Sequence, residues 1–171
     1  MGGHDCGVMM EYSTLESLAD QVRELRDREE IARLLHEYCR AVDLYHPEEV
    51  AAVFTEDCVV SYGPTLGGVQ GRDALASSLK AGLAHYDATN HLLGNVQIDF
   101  DDPDSAHGMS LVYAWHRMRN GAPDAHLWAQ YHDRFVRTTG GWLIAQRRLL
   151  VAGESEFPLS WEPIGRRAVS E

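Results

Sequence analysis

The 171-residue sequence predicts a single α+β domain: helices first, then a curved mixed, mostly antiparallel sheet that wraps around them and closes over a pocket. Three observations predict it. The first half of the chain carries apolar residues at three- and four-residue steps. From His91 onward the period drops to two. The two-period segments are separated by Asp-Asp-Pro-Asp, Asn-Gly-Ala-Pro and Thr-Thr-Gly-Gly turn signals.

Each element has its own signal. Residues Met1 to Tyr12 are Gly-rich and aperiodic, which suggests a loose tail, and the ordered domain is expected over residues 13–152. Ser13-Thr14-Leu15-Glu16 has the spacing of a capping box, and Leu15, Leu18, Val22 and Leu25 follow on one helical face. Asp27-Arg28-Glu29-Glu30 offers a second cap, so a second helix is expected through Ile31, Leu34, Leu35, Tyr38 and Val42 toward Asp43. Pro47 suits a first helical position, and Glu48 and Glu49 complement the positive end of a short helix carrying Val50, Val53 and Phe54. Cys58 to Tyr62 is β-branched and stops at Gly63-Pro64, as a short strand and turn would. Gly71-Arg72-Asp73 opens another helix through Leu75, Leu79 and Leu83.

In the second half, residues 95–100, 110–119, 126–137 and 142–151 read as strands, with His91 opening the first of them. The last stretch, residues 153–171, has no period but holds Phe157, Pro158, Trp161 and Pro163. It either folds over the pocket or a neighbouring subunit, or remains a partly ordered tail.

Composition narrows the function. A hydrophobic share of 44% and a charged share of 24% are those of a globular protein. A formal charge of −11 disfavours nucleic acid, because such a surface repels a polyanion. No apolar run reaches the roughly 20 residues that span a bilayer, and the first residues lack the order of a signal peptide, so a cytoplasmic protein without membrane contact is expected. Cys6, Cys39 and Cys58 share no C-x-x-C spacing and encode neither a disulfide framework nor a zinc knuckle. No paired ligand spacing supports a metal, no Gly-x-Ser-x-Gly elbow supports a serine nucleophile, and Gly67 to Gly71 lacks the Lys-Ser/Thr of a phosphate loop.

Several residues could carry chemistry. Asp43 falls at a helix C-terminus, where a carboxylate opposes the dipole and needs compensation; a histidine partner would supply it, although a surface loop aspartate looks the same. Strict alternation places His91, Leu93 and Asn95 on one strand face, and either side could be core. His116 shares a face with Val112, Ala114 and Met118, small and apolar company fit for a pocket wall or for a core histidine. Trp128, Gln130 and His132 share a face of the next strand, offering a flat wall, an amide and an imidazole, or a half-solvated sheet surface. Tyr62 ends the first strand, where its hydroxyl could enter a pocket or its ring simply pack.

The segments Tyr38 to Asp43 and Val50 to Cys58, Thr89-Asn90-His91, and Gly140-Gly141-Trp142-Leu143-Ile144 carry a resemblance. Over roughly residues 28–152, the chain resembles the scytalone dehydratase branch of the nuclear transport factor 2-like proteins, also called SnoaL-like. The resemblance implies a cone-shaped barrel and cofactor-free acid–base chemistry. It places Asp43, Tyr62, His91 and His116 on that enzyme's acidic residue, a pocket tyrosine and its two histidines. The Asp–His pair is also similar to the dyad of hexachlorocyclohexane dehydrochlorinase, so elimination is the shared theme. Tyr38, Asn95, Trp128, Gln130 and His132 are the candidates for binding substrate.

The resemblance has gaps: a substrate-binding Ser and Asn of scytalone dehydratase are replaced near Trp128 and Gln130, and its second pocket tyrosine by Val42. What carries over is the reaction type, on an apolar cyclic or polyketide-like β-hydroxy carbonyl compound, and not scytalone itself. Cyclisation or isomerisation by the same dyad is an alternative, as is a non-catalytic small-molecule-binding module on the same fold. Such proteins suggest a homo-oligomer, dimer or trimer.

Overall fold

One uninterrupted helix, α1 (Leu15–Asp43), runs where the sequence predicts two. In this computed structural model, which describes residues 15–64, 67–157 and 161–165, the expected second cap is Asp27. Its carboxylate is engaged elsewhere: Arg137 donates from Nη1 to Oδ1 at 2.9 Å and from Nη2 to Oδ2 at 2.6 Å, and Trp142 Nε1 donates to Oδ1 at 3.0 Å. A capping aspartate must turn its carboxylate back to its own backbone. Asp27 instead ties the middle of α1 to strands more than a hundred residues away.

Ahead of Asp27, Leu18, Val22 and Leu25 are exposed, contrary to the core face their spacing predicts; after it, Ile31, Leu35, Tyr38 and Val42 are buried. Only the second half of α1 therefore lies on the core. Ser13 and Thr14 of the expected capping box lie outside the described residues, as do residues 1–12 of the expected tail.

The remaining elements are α2 (Pro47–Ala52), β1 (Phe54–Ser61), β2 (Gly68–Gln70), α3 (Arg72–Leu83), β3 (Tyr86–Asp102), β4 (Ser105–Met118), β5 (Ala125–Thr138) and β6 (Gly141–Ser155). The strands form one sheet in the order β2-β1-β6-β5-β4-β3. β1 and β6 are parallel and the other neighbours antiparallel, so the sheet is mixed and mostly antiparallel. The short β2 carries no sequence signal beyond its turn glycines. With α1 packed on a curved six-stranded sheet, the architecture is the α+β cone.

Two bulges decide which side chains face the helix. In β3 the register shifts between Gly94 and Gln97, and Asn95 takes a left-handed φ of 49°. Val96, Ile98 and Phe100 then continue on the inner face that Leu93 leaves, while Asn95 is exposed. Gly108 opposite accommodates the bulge, since a Cβ there would lie 2.5 Å from the Gln97 carbonyl oxygen. In β6 the pairing jumps from Phe135↔Ile144 to Arg134↔Gln146, leaving Ala145 unpaired. Trp142 and Ile144 point inward, and beyond the bulge so do Arg147, Leu149 and Val151, in place of the Gln146 and Arg148 that strict alternation would select.

β6 runs three residues past the predicted domain limit at 152. The chain then returns beside it where β1 has ended: Val151 N–H donates to the Glu162 carbonyl at 2.8 Å, and Ile164 N–H to the Val151 carbonyl at 2.9 Å. Trp161 Nε1 donates to Glu154 Oε2 at 2.7 Å, and Arg148 pairs with Glu162. No helix among the described residues is long and apolar enough to cross a membrane.

The Asp27 anchor gives a first prediction. Asp27→Asn should lower the free energy of unfolding by about 2–3 kcal/mol in urea titrations, because Arg137 loses the more buried of its two carboxylate partners and keeps only the exposed Asp104. The Arg137 hydrogen bonds, helped by the one from Trp142 and the nearby positive charge, outweigh burial and hold the Asp27 carboxyl below its ordinary value. A depressed carboxyl contributes its stability above the unfolded value near 4 and loses it as pH falls through the folded value. The gap between wild type and variant should therefore close with acidification below about pH 4.

Candidate active site

Asp43 is the last residue of α1 and meets the first half of β3. Thr89 and His91, two residues apart, point to the same inner face and both reach it. Thr89 Oγ1 donates to Asp43 Oδ1 at 2.9 Å, His91 backbone N–H to Oδ2 at 2.8 Å, and His91 Nδ1 to Oδ1 at 2.7 Å. These donors supply the compensation that a carboxylate at a helix C-terminus requires. Burial raises the Asp43 pKa, yet the side-chain and backbone hydrogen bonds from His91 and the one from Thr89 more than offset it, so the carboxyl lies below its ordinary value. The side chains are 20% exposed for Asp43 and 7% for His91. A carboxylate on Nδ1 fixes the tautomer with Nε2 unprotonated, and Nε2 is left as the basic nitrogen.

His91 borders a cavity of about 860 Å³ enclosed between the sheet, the end of α1, α3 and the returning C-terminal segment. His116 stands beside it, the ring centroids 5.5 Å apart at 79°. Tyr86 and Phe157 pack on His116 at 4.6 Å and 5.1 Å. Burial, reinforced by the neighbouring His91, lowers the His116 pKa to about 3, so the ring is neutral near pH 7. Its Nδ1 is buried without a hydrogen-bond partner among the described residues.

A second polar group lies across the cavity, where the hydroxyls of Tyr38 and Tyr62 are 2.8 Å apart. Burial pushes both phenols upward, so each keeps its proton. Tyr38 is also hydrogen-bonded to Tyr131, so when Tyr38 donates to Tyr62 it is the Tyr62 O–H that is left for a ligand. Beneath them lies Arg147, fully buried and paired with Asp133 through two hydrogen bonds of 2.8 Å. Its guanidinium sits over the rings of Tyr131 at 4.0 Å and Tyr38 at 4.2 Å. Burial opposes the charge on Arg147, but Asp133 more than compensates it and the group stays cationic.

Asp43, His91, His116, Tyr62 and Tyr38 thus come together around one cavity. Four expected binding residues do not. Trp128, Gln130 and His132 do share a strand face, but it is the outer one; the inner face of β5 shows Leu127, Ala129, Tyr131 and Asp133. His132 Nε2 bonds Gln130 Oε1 at 3.0 Å and Trp128 stacks on His126, all away from the cavity. Asn95 is turned outward by the β3 bulge.

Sequence reasoning missed Thr89, Tyr86, Tyr131 and Arg147. The alternation of β5 could have found Tyr131, which lies between two residues named for the opposite face. Nothing local signals Arg147, because the bulge at Ala145 turns it inward. Among the described residues no group of three or more His, Cys, Asp or Glu is placed to hold a metal.

Comparison with known proteins finds relatives in sequence and in fold. A family model described as SnoaL-like domain matches residues 23–148. An uncharacterised protein of Mycobacterium tuberculosis is 33% identical over 131 residues, covering 74% of this chain and 86% of its own. A crystal structure of a candidate scytalone dehydratase from Novosphingobium aromaticivorans is 35% identical, with a TM-score of 0.81 over 86% of this chain and 99% of that one. A hexachlorocyclohexane dehydrochlorinase, LinA type 2, shares the fold at 18% identity, with a TM-score of 0.74 over 87% and 99% of the two chains.

Proposed function

Because this chain belongs to the SnoaL-like domain family, we propose that it is a cofactor-independent lyase, a dehydratase of cyclic, polyketide-like β-hydroxy carbonyl compounds. The observation that carries this reading is the Asp43–His91 contact of 2.7 Å beside a largely apolar cavity. His91 Nε2 removes a proton from the carbon next to the carbonyl, and the C–H electrons move onto the carbonyl oxygen. Asp43 holds the tautomer and stabilises the imidazolium that forms. The Tyr38–Tyr62 pair supplies an O–H, and neutral His116 an N–H, to the developing enolate oxygen.

When the enolate collapses, the bond to the β-hydroxyl breaks and His91 returns its proton to the departing oxygen, which leaves as water. The product is an α,β-unsaturated carbonyl compound. His116 serves as a neutral donor and not as the acid, because its lowered pKa keeps it unprotonated near neutrality.

The test is incubation of the protein with a panel of cyclic β-hydroxy ketones in D₂O, followed by absorbance and mass spectrometry. Dehydration predicts loss of water and appearance of the conjugated chromophore. Deuterium incorporation or rearrangement without loss of water would replace this reading with isomerisation or cyclisation by the same base. Binding with neither change would make the protein a ligand carrier.

A further inference from the structure

The chain holds 26 Asp and Glu residues, yet none of the described residues lining the cavity is acidic. Among those residues, the one permanently charged side chain is Arg119. It follows the end of β4, three residues beyond His116, so the two Cα atoms are separated by roughly 10 Å of extended chain. Arg119 thus stands at the mouth, with the imidazoles of His116 and His91 deeper in.

Three hydrogen bonds hold it there. The backbone N–H donates to the His85 carbonyl at 3.1 Å, Nη2 to the Tyr86 carbonyl at 3.2 Å, and Nε to Asp87 Oδ1 at 2.9 Å. Nη1 has no protein acceptor among the described residues. The ion pair with Asp87 is well exposed, 62% and 50% for the two side chains, and exposed pairs of this kind are weak enough for a ligand oxygen to compete. Between this cation and the histidines the wall includes Tyr86, Phe157 and Met118, surfaces that suit flat apolar rings. A net charge of −11 gives no general attraction for anions, so any preference for one has to be local.

We propose that Arg119 is a specificity-determining residue that selects ring compounds carrying a carboxylate at the cavity mouth, outward of the carbon facing His91. The position of that carbon rests on the acid–base reading above; the preference for an acid does not.

The test uses 2-naphthoate and its methyl ester, titrated calorimetrically into the folded protein without any turnover. The acid should bind roughly three- to ten-fold more tightly than the ester, the range of a charge-assisted contact at a partly exposed site. Arg119→Gln should remove that ratio, and Asp87→Asn, which releases the guanidinium, should widen it. An unchanged ratio in Arg119→Gln, equal binding of both probes by wild type, or binding of neither overturns the inference. A ratio that depends on Arg119 in a protein whose His91→Ala variant keeps its turnover would sink the acid–base reading and leave this one standing; the opposite pair of results would do the reverse.

Discussion

His91→Ala is expected to lower turnover about 10⁴-fold, the upper end for a general base, because the same ring both accepts the carbon-bound proton and returns it to the leaving oxygen. The fold should survive. The imidazole borders a cavity, so its removal enlarges existing space in place of opening a new void in close-packed core. Asp43 keeps two donors, the Thr89 hydroxyl and the backbone N–H of residue 91, and is not left as an unpaired buried charge. Circular dichroism should therefore match wild type, and added imidazole should restore part of the rate by occupying the vacated space. A variant that unfolds would assign His91 a packing role; one that turns over normally would remove it from the chemistry.

The second large effect is expected for Asp43→Asn, which preserves shape but removes the charge opposite His91 Nδ1. The rate constant should fall by roughly two to four orders of magnitude with much less effect on substrate binding, as when an interaction strengthens only along the reaction path. Two physical losses combine. The amide can present its NH₂ to Nδ1 and reverse the tautomer, and it no longer stabilises the imidazolium. The half-buried position of Asp43 makes that stabilisation larger than in water, so steady-state kinetics on a verified substrate should resolve it. Wild-type kcat in this variant would leave Asp43 as an anchor for the Thr89–His91 segment only. His116 should add no ionisation to the rate profile near neutral pH, since its pKa lies at about 3.

Local physics made much of this protein legible in its sequence. The change of apolar period from three or four to two marks where helices yield to strands, and it is set by the geometry of each backbone alone. Turn residues marked the hairpins, and Pro47 with Glu48 and Glu49 marked α2, because φ restriction and the helix dipole act within a few residues. Asp43 was conspicuous because a carboxylate at a helix C-terminus needs a partner, and the side-chain alternation of β4 put His116 among Val112, Ala114 and Met118, the face that turns inward.

Only the tertiary structure decided the rest. Asp27 looks like a helix cap until Arg137 and Trp142 arrive from β5 and β6, and a local cap loses to a buried charge with three donors. The bulges at Asn95 and Ala145 each add one residue to a period of two, which exchanges inside for outside from that point on. They turn Asn95 to solvent and Arg147 beneath the tyrosines. Which face of β5 is concave was equally undecided, since both carry aromatic and polar groups. Sheet curvature chose Tyr131 over Trp128, Gln130 and His132, because it sums the twist of all six strands around α1, and no single segment of the chain contains that sum.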